Sequence, residues 1–551
     1  MRGLYRLALL LLAFLTGVLA AAFQASNKYP DLYEASILEL QSGLDKKLFT
    51  SVDLVKAYLA RIDEVNLKGA KLHAVIETNP SALKQAAALD AERKKSGKRS
   101  PLHGIPILLK DNIATIASEG MNTTAGSWAL YKSVVPGDAT VAAKLRKAGA
   151  ILLGKANMSE WAHFRGNVAS GWSGRGGQAT NPYYPSADPC GSSSGSGVAT
   201  AVGLAAGSLG TETDGSIVCP SSYNNLVGIK PTVGLTSRSG VIPISSHQDT
   251  VGPMTRSVED GAVILSIIAG RDSKDNYTST APSKIPDYTK YLDVGAIKGK
   301  RFGVPRAVFT NDSFTGNDPY INVAFNKSLD TIRALGGVIV DPADLPSAYE
   351  IAASGNETFV LDVDFKIEVN AYLKGLESIP TGASTLAKLI AYNDDHKNLE
   401  EPEGYEDQSI FIESQATTGY NSTYYAALAA DYELGRTRGI DYVLKKYKLD
   451  AIVLPSNGYT TSPAAIAGYP IVTVPLGFFP NSTKVTPGSA GPNTVYPAPG
   501  APFGLAFLGT AYSEPSSIGF AYAYEQKTHT RLERRAYAAA IPRTQLKDVV
   551  S

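Results

Sequence analysis

The sequence predicts an α/β protein built around one large β-sheet. Short apolar runs typical of strands, such as GIPILLK at 104–110 and ILLGKAN at 151–157, alternate with longer segments of helical period. The alternation returns in the C-terminal half, in GIDYVLKKYKLDAIVLPS and YPIVTVPLGF. Strands that alternate with helices build layered α/β folds. Because the 551-residue chain has no repeats and no long linker, we expect a single domain over residues 23–551.

Capping residues and periodicity predict three helices in the N-terminal half. TSVDLVKAYLARIDEVN is amphipathic, and its Thr50 and Asp53 fit a capping box. DATVAAKLRKAGA, at 138–150, is predicted to be a helix capped by Asp138. GSGVATAVGLAAGSLG, at 195–210, is rich in Gly and Ala and is predicted to be a helix that packs closely on the sheet.

The segment EEPEGYEDQSIFIESQATTGY, at 400–420, has an irregular period and mixes acidic with aromatic residues. Such a segment is typical of an insertion at the surface, where binding residues concentrate. We therefore expect it to form a surface insertion or the wall of a pocket rather than part of the core.

The N-terminus has the layout of a secretory signal peptide. Arg2 and Arg6 precede an apolar run from about Leu7 to Leu19, which is followed by three alanines at 20–22. The run is shorter than the ~18 apolar residues that a membrane-spanning helix needs. We therefore expect residues 1–22 to be removed and the mature chain to be exported.

N-x-S/T sequons, which exported chains carry as glycosylation acceptors, begin at Asn122, Asn157, Asn276, Asn311, Asn326, Asn356, Asn421 and Asn481.

The charge balance argues against polyanionic partners. The chain has 52 Lys and Arg against 51 Asp and Glu, which gives a net charge near +1. A basic patch for nucleic acid or an anionic membrane surface is not indicated by this balance. We expect a small or neutral substrate, no nucleic acid and no stable membrane association.

The run PCGSSSGSG, at 189–197, contains the G-x-S-x-G pattern of serine hydrolases, which would make Ser193 the nucleophile. Such a serine needs a downstream histidine base, with an Asp or Glu between them in chain order. No H-G-G-G oxyanion segment is present, so the α/β-hydrolase interpretation lacks its partners. None of the six histidines lies in a recognisable triad motif: His73, His103, His163, His247, His396 and His529.

A second serine-rich run, GTETDGSIVCP at 210–220, offers a better nucleophile. In this run Ser216 follows Asp214 and Gly215. Successive backbone N–H groups in such a turn converge on an anion, as an oxyanion hole requires. The small-residue segment between the two runs would allow the chain to bring Ser216 back to Ser192.

These runs make the chain similar to the amidase signature family from about residue 35 to about residue 540. The family motifs GGSSGGS, G-[ST]-D-x-G-G-S-I and G-x-K-P-T are matched in order by CGSSSGS, GTETDGSI and VGIKPTVG. The upstream G-x-P-x-x-[LV]-K-D-N segment is matched by GIPILLKDN, which contains Lys110. LGKANMSEWA, GYPIVTVPLGF and YAYEQ match further segments. The resemblance implies a large mixed β-sheet core covered by helices on both faces, with the signature core at about 100–260.

The resemblance also implies a set of catalytic roles. Ser216 is the nucleophile, Ser192 follows a cis peptide bond and relays a proton, and Lys110 begins neutral and acts as the base. Ser193 then matches the G-x-S-x-G pattern by chance. No cofactor and no metal is implied. The expected oxyanion donors are the N–H groups of Thr213, Asp214, Gly215 and Ser216.

Three departures from the family pattern point to one branch of it. Glu212, Asp214 and Val218 stand where Asp, Gly and Arg are usual, which puts the family's local salt bridges in doubt but not the triad. The same departures, with GRGGQATNPY and PCGSSSGS, resemble the peptide amidase branch, which releases ammonia from C-terminal carboxamides. Three alternatives stay open: an aryl or aliphatic amide hydrolase, an amidotransferase subunit, and an inactive amide-binding relative.

Two questions about supporting residues stay open at this point. Cys190 and Cys219 flank the two serine motifs and are either two buried thiols or a disulfide of an exported chain, and the resemblance implies no such bond. Lys155, Asn157 and Gln178 lie in matched segments, where they either brace the site or act directly. If its segment is core, Asn157 is not a glycosylation site, since that modification needs surface access.

Overall fold

The computed structural model describes residues 28–488 and 491–550, so the predicted signal peptide at 1–22 lies outside the described residues. The described residues form a central sheet of eleven strands and two small sheets of two strands each. No helix within these ranges is long and apolar enough to span a bilayer.

The strands are numbered in chain order and are mostly short. They are β1 (Val75–Thr78), β2 (Pro106–Lys110), β3 (Ile151–Ala156), β4 (Trp172–Ser173), β5 (Gly177–Gln178), β6 (Gly207–Glu212), β7 (Val227–Lys230), β8 (Thr250–Thr255), β9 (Arg301–Gly303), β10 (Val338–Val340), β11 (Ala451–Pro455), β12 (Ile471–Phe478), β13 (Pro487–Gly488), β14 (Gly491–Val495) and β15 (Pro502–Leu508).

The helices are numbered in the same way. They are α1 (Ile37–Asp45), α2 (Ser51–Val65), α3 (Ala82–Ser96), α4 (Thr140–Lys147), α5 (Ser194–Ala201), α6 (Val218–Tyr223), α7 (Val258–Ile268), α8 (Asp312–Thr315), α9 (Tyr320–Ala334), α10 (Ala348–Ala353), α11 (Asn356–Lys374), α12 (Leu386–Asp395), α13 (Lys397–Glu400), α14 (Ser409–Ala416), α15 (Ser422–Tyr432), α16 (Asp441–Tyr447), α17 (Ser462–Ala467) and α18 (Glu514–Thr528).

The large sheet is mixed, as the sequence predicts. Its strand order is β1-β3-β2-β6-β8-β7-β12-β15-β11-β9-β10. The pairs β3–β2, β2–β6, β11–β9 and β9–β10 are parallel, and the others are antiparallel. Because β2 and β6 run in parallel, their carboxyl ends meet at the same edge of the sheet.

Helices cover both faces of the sheet, as β6 shows. Neighbouring residues of a strand point to opposite faces. The Ser208 hydroxyl donates to the carbonyl of Ser196 in α5 at 3.0 Å. A Cβ at the adjacent Gly207 would lie 3.2 Å from Ile264 in α7. Helices α5 and α7 therefore pack on opposite sides of the same strand, and the predicted arrangement of layers is confirmed.

The predicted helices are present, but two of their details are wrong. The capping box of α2 is confirmed, with Thr50 and Asp53 bonding each other's backbone. Helix α4 begins at Thr140 without a side-chain cap, because the Asp138 carboxylate instead accepts from the Ile116 N–H (2.8 Å) and the Arg146 Nε (2.8 Å).

Helix α5 is shorter than predicted, since it ends at Ala201 and the last residues of the predicted segment form β6. Gly203 has a φ of +68°, and a Cβ there would lie 2.2 Å from the Leu32 carbonyl oxygen. This close approach to the N-terminal segment turns the chain out of the helix and into the strand.

The segment 400–420 is not confined to the surface, because part of it belongs to the core. Phe411 is fully buried and stacks on Phe365 with ring centroids 5.5 Å apart. It also meets Trp161 edge-on at 5.6 Å. Elsewhere in the segment Tyr405 stacks on Trp172 at 4.6 Å. The expectation that the segment is not core is therefore wrong for Phe411, whose partners come from distant parts of the chain.

Candidate active site

Two neighbouring strands and two connections bring the predicted triad together. Lys110 is the last residue of β2, and β6 lies beside it in parallel register, with Leu109 opposite Leu209. Ser192 lies just before α5, and Ser216 lies between β6 and α6. All three residues therefore meet at the edge of the sheet where β2 and β6 end.

The three side chains form one continuous chain of contacts. Lys110 Nζ lies 2.7 Å from Ser192 Oγ, and Ser192 Oγ lies 2.9 Å from Ser216 Oγ. Lys110 is 0% exposed, Ser192 1% and Ser216 8%. Ser216 is thus the member of the chain that a substrate reaches first, and Lys110 is the member farthest from solvent.

The surroundings of Lys110 favour its neutral amine. Burial lowers the pKa of Lys110 to about 7, and the negative charges of Asp249 and Glu212 oppose this lowering. Nζ also lies 2.9 Å from Thr211 Oγ1 and 3.2 Å from the Thr211 carbonyl oxygen. Nζ is therefore held by three hydrogen-bond contacts, two with Thr211 and one with the Ser192 hydroxyl.

The backbone holds Ser192 in place from several sides. The Gly191–Ser192 peptide bond is cis. The Ser192 carbonyl accepts from the Ser159 N–H at 3.0 Å, and the Ser193 N–H donates to the Ser216 carbonyl at 3.2 Å. A side chain at position 191 would meet Ser159 Oγ at 2.4 Å, which accounts for glycine at this position.

Ser193, the serine of the G-x-S-x-G pattern, points away from the site. It is 0% exposed, and its hydroxyl donates to the Thr211 carbonyl at 3.0 Å. No histidine contacts it among the described residues. The geometry therefore gives Ser193 a place in the packing of α5 on β6.

The turn at residues 213–216 presents unused backbone donors beside Ser216. Gly215 has a φ of +86°, which reverses the chain just before the serine. Within the described chain, none of the four N–H groups of this turn donates to another protein atom. The Thr213 hydroxyl donates to Asp249 Oδ1 at 2.6 Å, and the Ser462 hydroxyl donates to Asp214 Oδ2 at 3.0 Å. The side chains thus anchor the turn and leave its N–H groups available.

Glu212 and Val218, which differ from the usual residues of the family pattern, lie next to each other at the start of α6. Glu212 Oε2 accepts from the Ile217 N–H at 2.6 Å and from the Val218 N–H at 2.8 Å. Burial raises the pKa of Glu212, and the charge of Lys230 opposes that rise. Val218 is fully buried in an apolar cluster, where an Arg side chain has no place. The carboxylate therefore caps the start of α6 directly.

The three other candidates from the matched segments brace the site and do not touch the triad. Lys155 donates to the Ile113 carbonyl (2.6 Å) and the Thr123 hydroxyl (2.9 Å). Asn157 is fully buried and donates to the Gly177 carbonyl at 3.0 Å. Gln178 donates to the Ser170 carbonyl at 2.7 Å. Burial of Asn157 leaves its sequon without the surface access that glycosylation needs.

The two cysteines form a disulfide, with their Cα atoms 5.8 Å apart. The buried-thiol alternative is therefore wrong. Cys190 lies two residues before Ser192, and Cys219 lies three residues after Ser216. The bond joins the two connections that carry the serines.

The sequence does not predict four polar residues that lie near the triad: Asn112, His163, Gln248 and Asp249. Asn112 donates to Thr211 Oγ1 at 3.0 Å and so joins the lysine's hydrogen-bond network. Gln248 Nε2 lies 3.4 Å from the Thr213 carbonyl, beside the contact of Asp249 with Thr213. His163, which lies in no recognisable triad motif, has its pKa lowered by burial and by the charge of Lys110. The KDN and QDT triplets contain three of these residues, Asn112, Gln248 and Asp249, but a triplet in the sequence does not show which residues lie close to the triad.

The fold and this site define an amidase. The chain belongs to the amidase family, whose sequence profile, described as Amidase, matches residues 53–517. It is therefore an enzyme that hydrolyses carbon–nitrogen amide bonds.

Relatives and one solved structure match the chain over nearly its whole length. The chain is 42% identical over 544 residues to a putative amidase of Arthroderma benhamiae, and the match covers 95% of this chain and 90% of the relative. A probable amidase of Arabidopsis thaliana is 42% identical over 508 residues, 91% of each protein. Native peptide amidase from Stenotrophomonas maltophilia has a similar structure, with 42% identity, a TM-score of 0.81, and coverage of 93% of this chain and 99% of that chain.

Proposed function

We propose that the protein hydrolyses the C-terminal carboxamide of short peptides through an acyl-enzyme intermediate on Ser216. The observation that carries the proposal is the unbroken contact chain from Lys110 through Ser192 to Ser216, at 2.7 and 2.9 Å. Aryl and aliphatic amides remain the alternative substrates of the same site.

The first half-reaction moves one proton along this chain. Ser216 Oγ attacks the carbonyl carbon while its proton passes to Ser192 Oγ, and the Ser192 proton passes to the lone pair of Lys110. The carbonyl oxygen becomes an oxyanion and accepts from the N–H groups of residues 213–216. Each such donor is worth about 2.7 to 4 kcal/mol in the transition state.

Return of the proton completes the first half-reaction. When the C–N bond breaks, the proton travels back from Lys110 through Ser192 to the leaving nitrogen, which departs as ammonia and leaves the acyl group on Ser216. The second half-reaction releases the acid. Water then attacks the acyl-enzyme carbonyl, with the same relay accepting its proton. Collapse of the second oxyanion frees the Ser216 hydroxyl and the carboxylic acid, and all atoms and protons balance over the cycle.

The preference for peptide amides rests on similarity to peptide amidase and on the residues beside the serine run. Tyr405 stacks on Trp172 and donates to Gln178 Oε1 at 3.1 Å. Gln178 in turn holds the Ser170 carbonyl, and the Ser170 side chain lies 3.4 Å from the Cβ position of Gly191. These contacts link the two aromatic rings to the segment before Ser192, and we propose that the rings wall the acyl side of the cleft and contact a peptide.

Ammonia release from a small substrate panel tests the proposal. We expect turnover of a blocked dipeptide amide, slower turnover of benzamide, and no cleavage of the corresponding blocked tripeptide, since a pocket closed just beyond the scissile carbon excludes a further residue. Ser216→Ala should abolish ammonia release, and Ser193→Ala serves as the matched serine control that retains it. Rapid turnover of benzamide with none of the dipeptide amide would overturn the peptide preference and leave amide hydrolysis standing.

We also propose that the enzyme is exported after removal of residues 1–22 and that it is glycosylated. Five of the eight sequon asparagines are exposed: Asn276, Asn311, Asn326, Asn421 and Asn481. N-terminal sequencing of protein from the culture medium should begin near Ala21 to Phe23, and glycosidase treatment should lower the apparent mass. Retention of the full N-terminus inside the cell would contradict export.

A further inference from the structure

Asp249 is a buried carboxylate whose position is fully determined by its hydrogen bonds. Its Oδ1 accepts from the Thr213 hydroxyl at 2.6 Å. Its Oδ2 accepts from the Ile244 N–H at 2.8 Å and the Ser245 N–H at 3.1 Å. Three donors on one carboxyl group favour the ionised form.

The topology of the sheet places this carboxylate at the edge that carries the triad. Strand β8 is antiparallel to β6, and Thr250 lies opposite Glu212, so Asp249 lies beside the carboxyl end of β6. A void of about 10 Å³ is lined in part by Asp249, Thr213, Thr211 and Asn112. Of these residues, Thr211 bonds to the Lys110 amine, and Asn112 bonds to the Thr211 hydroxyl. Arg238 also lines the void, which holds about one water at most, so the charge of Asp249 is weakly screened on this side.

The charge of Asp249 is not neutralised by a direct ion pair. Within residues 28–488 and 491–550 its carboxylate forms no salt bridge. The guanidinium of Arg238 is paired with Asp275 at 2.6 Å and reaches only the backbone carbonyl of Asp249, at 3.2 Å.

Several titratable groups surround the two residues. Burial raises the pKa of Asp249, and its hydrogen bonds and the charge of Arg238 oppose that rise. Burial lowers the pKa of Lys110 to about 7, and Asp249 is the first opposing charge. The groups facing Lys110 are Asp249, Glu212 and His163, and those facing Asp249 are Lys110, Arg238 and Glu368.

We propose that Asp249 is a positioning residue that couples the oxyanion turn to the base, holding Thr213 by its Oδ1 and setting the basicity of the Lys110 amine by its charge. The proposal rests on the proposed role of Lys110. Burial alone would make the amine a weak base, poorly suited to take the Ser192 proton. An ionised carboxylate nearby restores basicity to the range in which a base both accepts and returns a proton near neutral pH.

The pH dependence of kcat/KM separates this role from a merely structural one. Asp249→Asn keeps the shape and can bond to both backbone N–H groups and to Thr213, but it removes the charge. The acidic midpoint of the profile should then move down by about one pH unit or more, since a positive amine without its opposite charge loses its proton more easily. Thr213→Val, which breaks the contact but keeps the charge, should lower kcat and leave the midpoint in place.

Two further variants make the outcome decisive. Asp260→Asn is the matched control, because this buried carboxylate accepts from the Ile37 N–H at 2.9 Å away from the triad, and its midpoint should equal that of the wild type. Asp249→Glu, which keeps the charge, should also keep the midpoint and serves if the asparagine variant does not fold. An Asp249→Asn profile with the wild-type midpoint, or an Asp249→Glu profile shifted down by a full unit, would overturn the inference. If Lys110→Ala keeps the wild-type rate, the proposed function fails first.

Discussion

At the scale of the residue, the central feature is the amine of Lys110. Its nitrogen lies within hydrogen-bond distance of the Thr211 hydroxyl, the Thr211 carbonyl and the Ser192 hydroxyl. Burial lowers the pKa of Lys110 to about 7, because desolvation penalises the ammonium form. We propose that the amine is thereby prepared as a base before substrate arrives.

The pH profile follows from this state of Lys110. In the proposed mechanism the active form is the deprotonated amine, so activity should rise with pH through a midpoint of about 7 and fall about tenfold per unit below it. Lys110→Arg keeps a positive charge but cannot accept a proton, and it should lose about 10²- to 10⁴-fold in kcat. Initial rates between pH 5 and 9 measure both effects.

A second buried lysine provides the control for this measurement. Burial lowers the pKa of Lys155 to about 8, and its amine bonds to Ile113 and Thr123, not to the serines. Lys155→Met should therefore leave the midpoint unchanged. A flat wild-type profile across this range, or an active Lys110→Arg enzyme, would show that the amine is not the base.

At the scale of the element, the Cys190–Cys219 bond joins the segment before α5 to the first turn of α6. It closes a loop with a sequence separation of 29. Cross-linking a loop of this length stabilises the fold by about 2 to 4 kcal/mol, chiefly through the unfolded chain. The same bond restrains the relative positions of Ser192 and Ser216.

The Cys190→Ser/Cys219→Ser double variant tests this contribution. Its free energy of unfolding should be lower by about 2 to 4 kcal/mol, and its kcat should fall because the two hydroxyls are held less firmly. Urea denaturation of the variant and of the oxidised wild type gives the first quantity, and the ammonia assay gives the second. An unchanged urea midpoint would mean that the surrounding hydrogen bonds alone hold the two connections.

The elements that the sequence predicted correctly are those that depend on nearby residues. The α2 capping box requires only Thr50 and Asp53, three positions apart. The predicted cap at Asp138 is wrong because its carboxylate is used by Arg146 and Ile116. The burial of Phe411 depends on Phe365 and other distant rings, which no local pattern reveals.

At the scale of the whole molecule, the sheet order decides which distant residues share the site. The motifs predicted Lys110, Ser192 and Ser216, because their order along the chain matches a family. Asp249 reaches the same edge only because β8 pairs antiparallel with β6, and the sequence does not state that pairing. The sequence alone does not decide the disulfide for a similar reason, since the closeness of two motifs does not fix the geometry of their cysteines.

One labelling experiment identifies the nucleophile. A fluorophosphonate probe reacts with an activated serine, and peptide mass spectrometry locates the adduct. We expect a single adduct on Ser216, lost in Ser216→Ala and strongly reduced in Lys110→Ala, because the relay no longer removes the serine proton. An adduct on Ser193 that persists undiminished in Ser216→Ala would show that Ser216 is not the nucleophile.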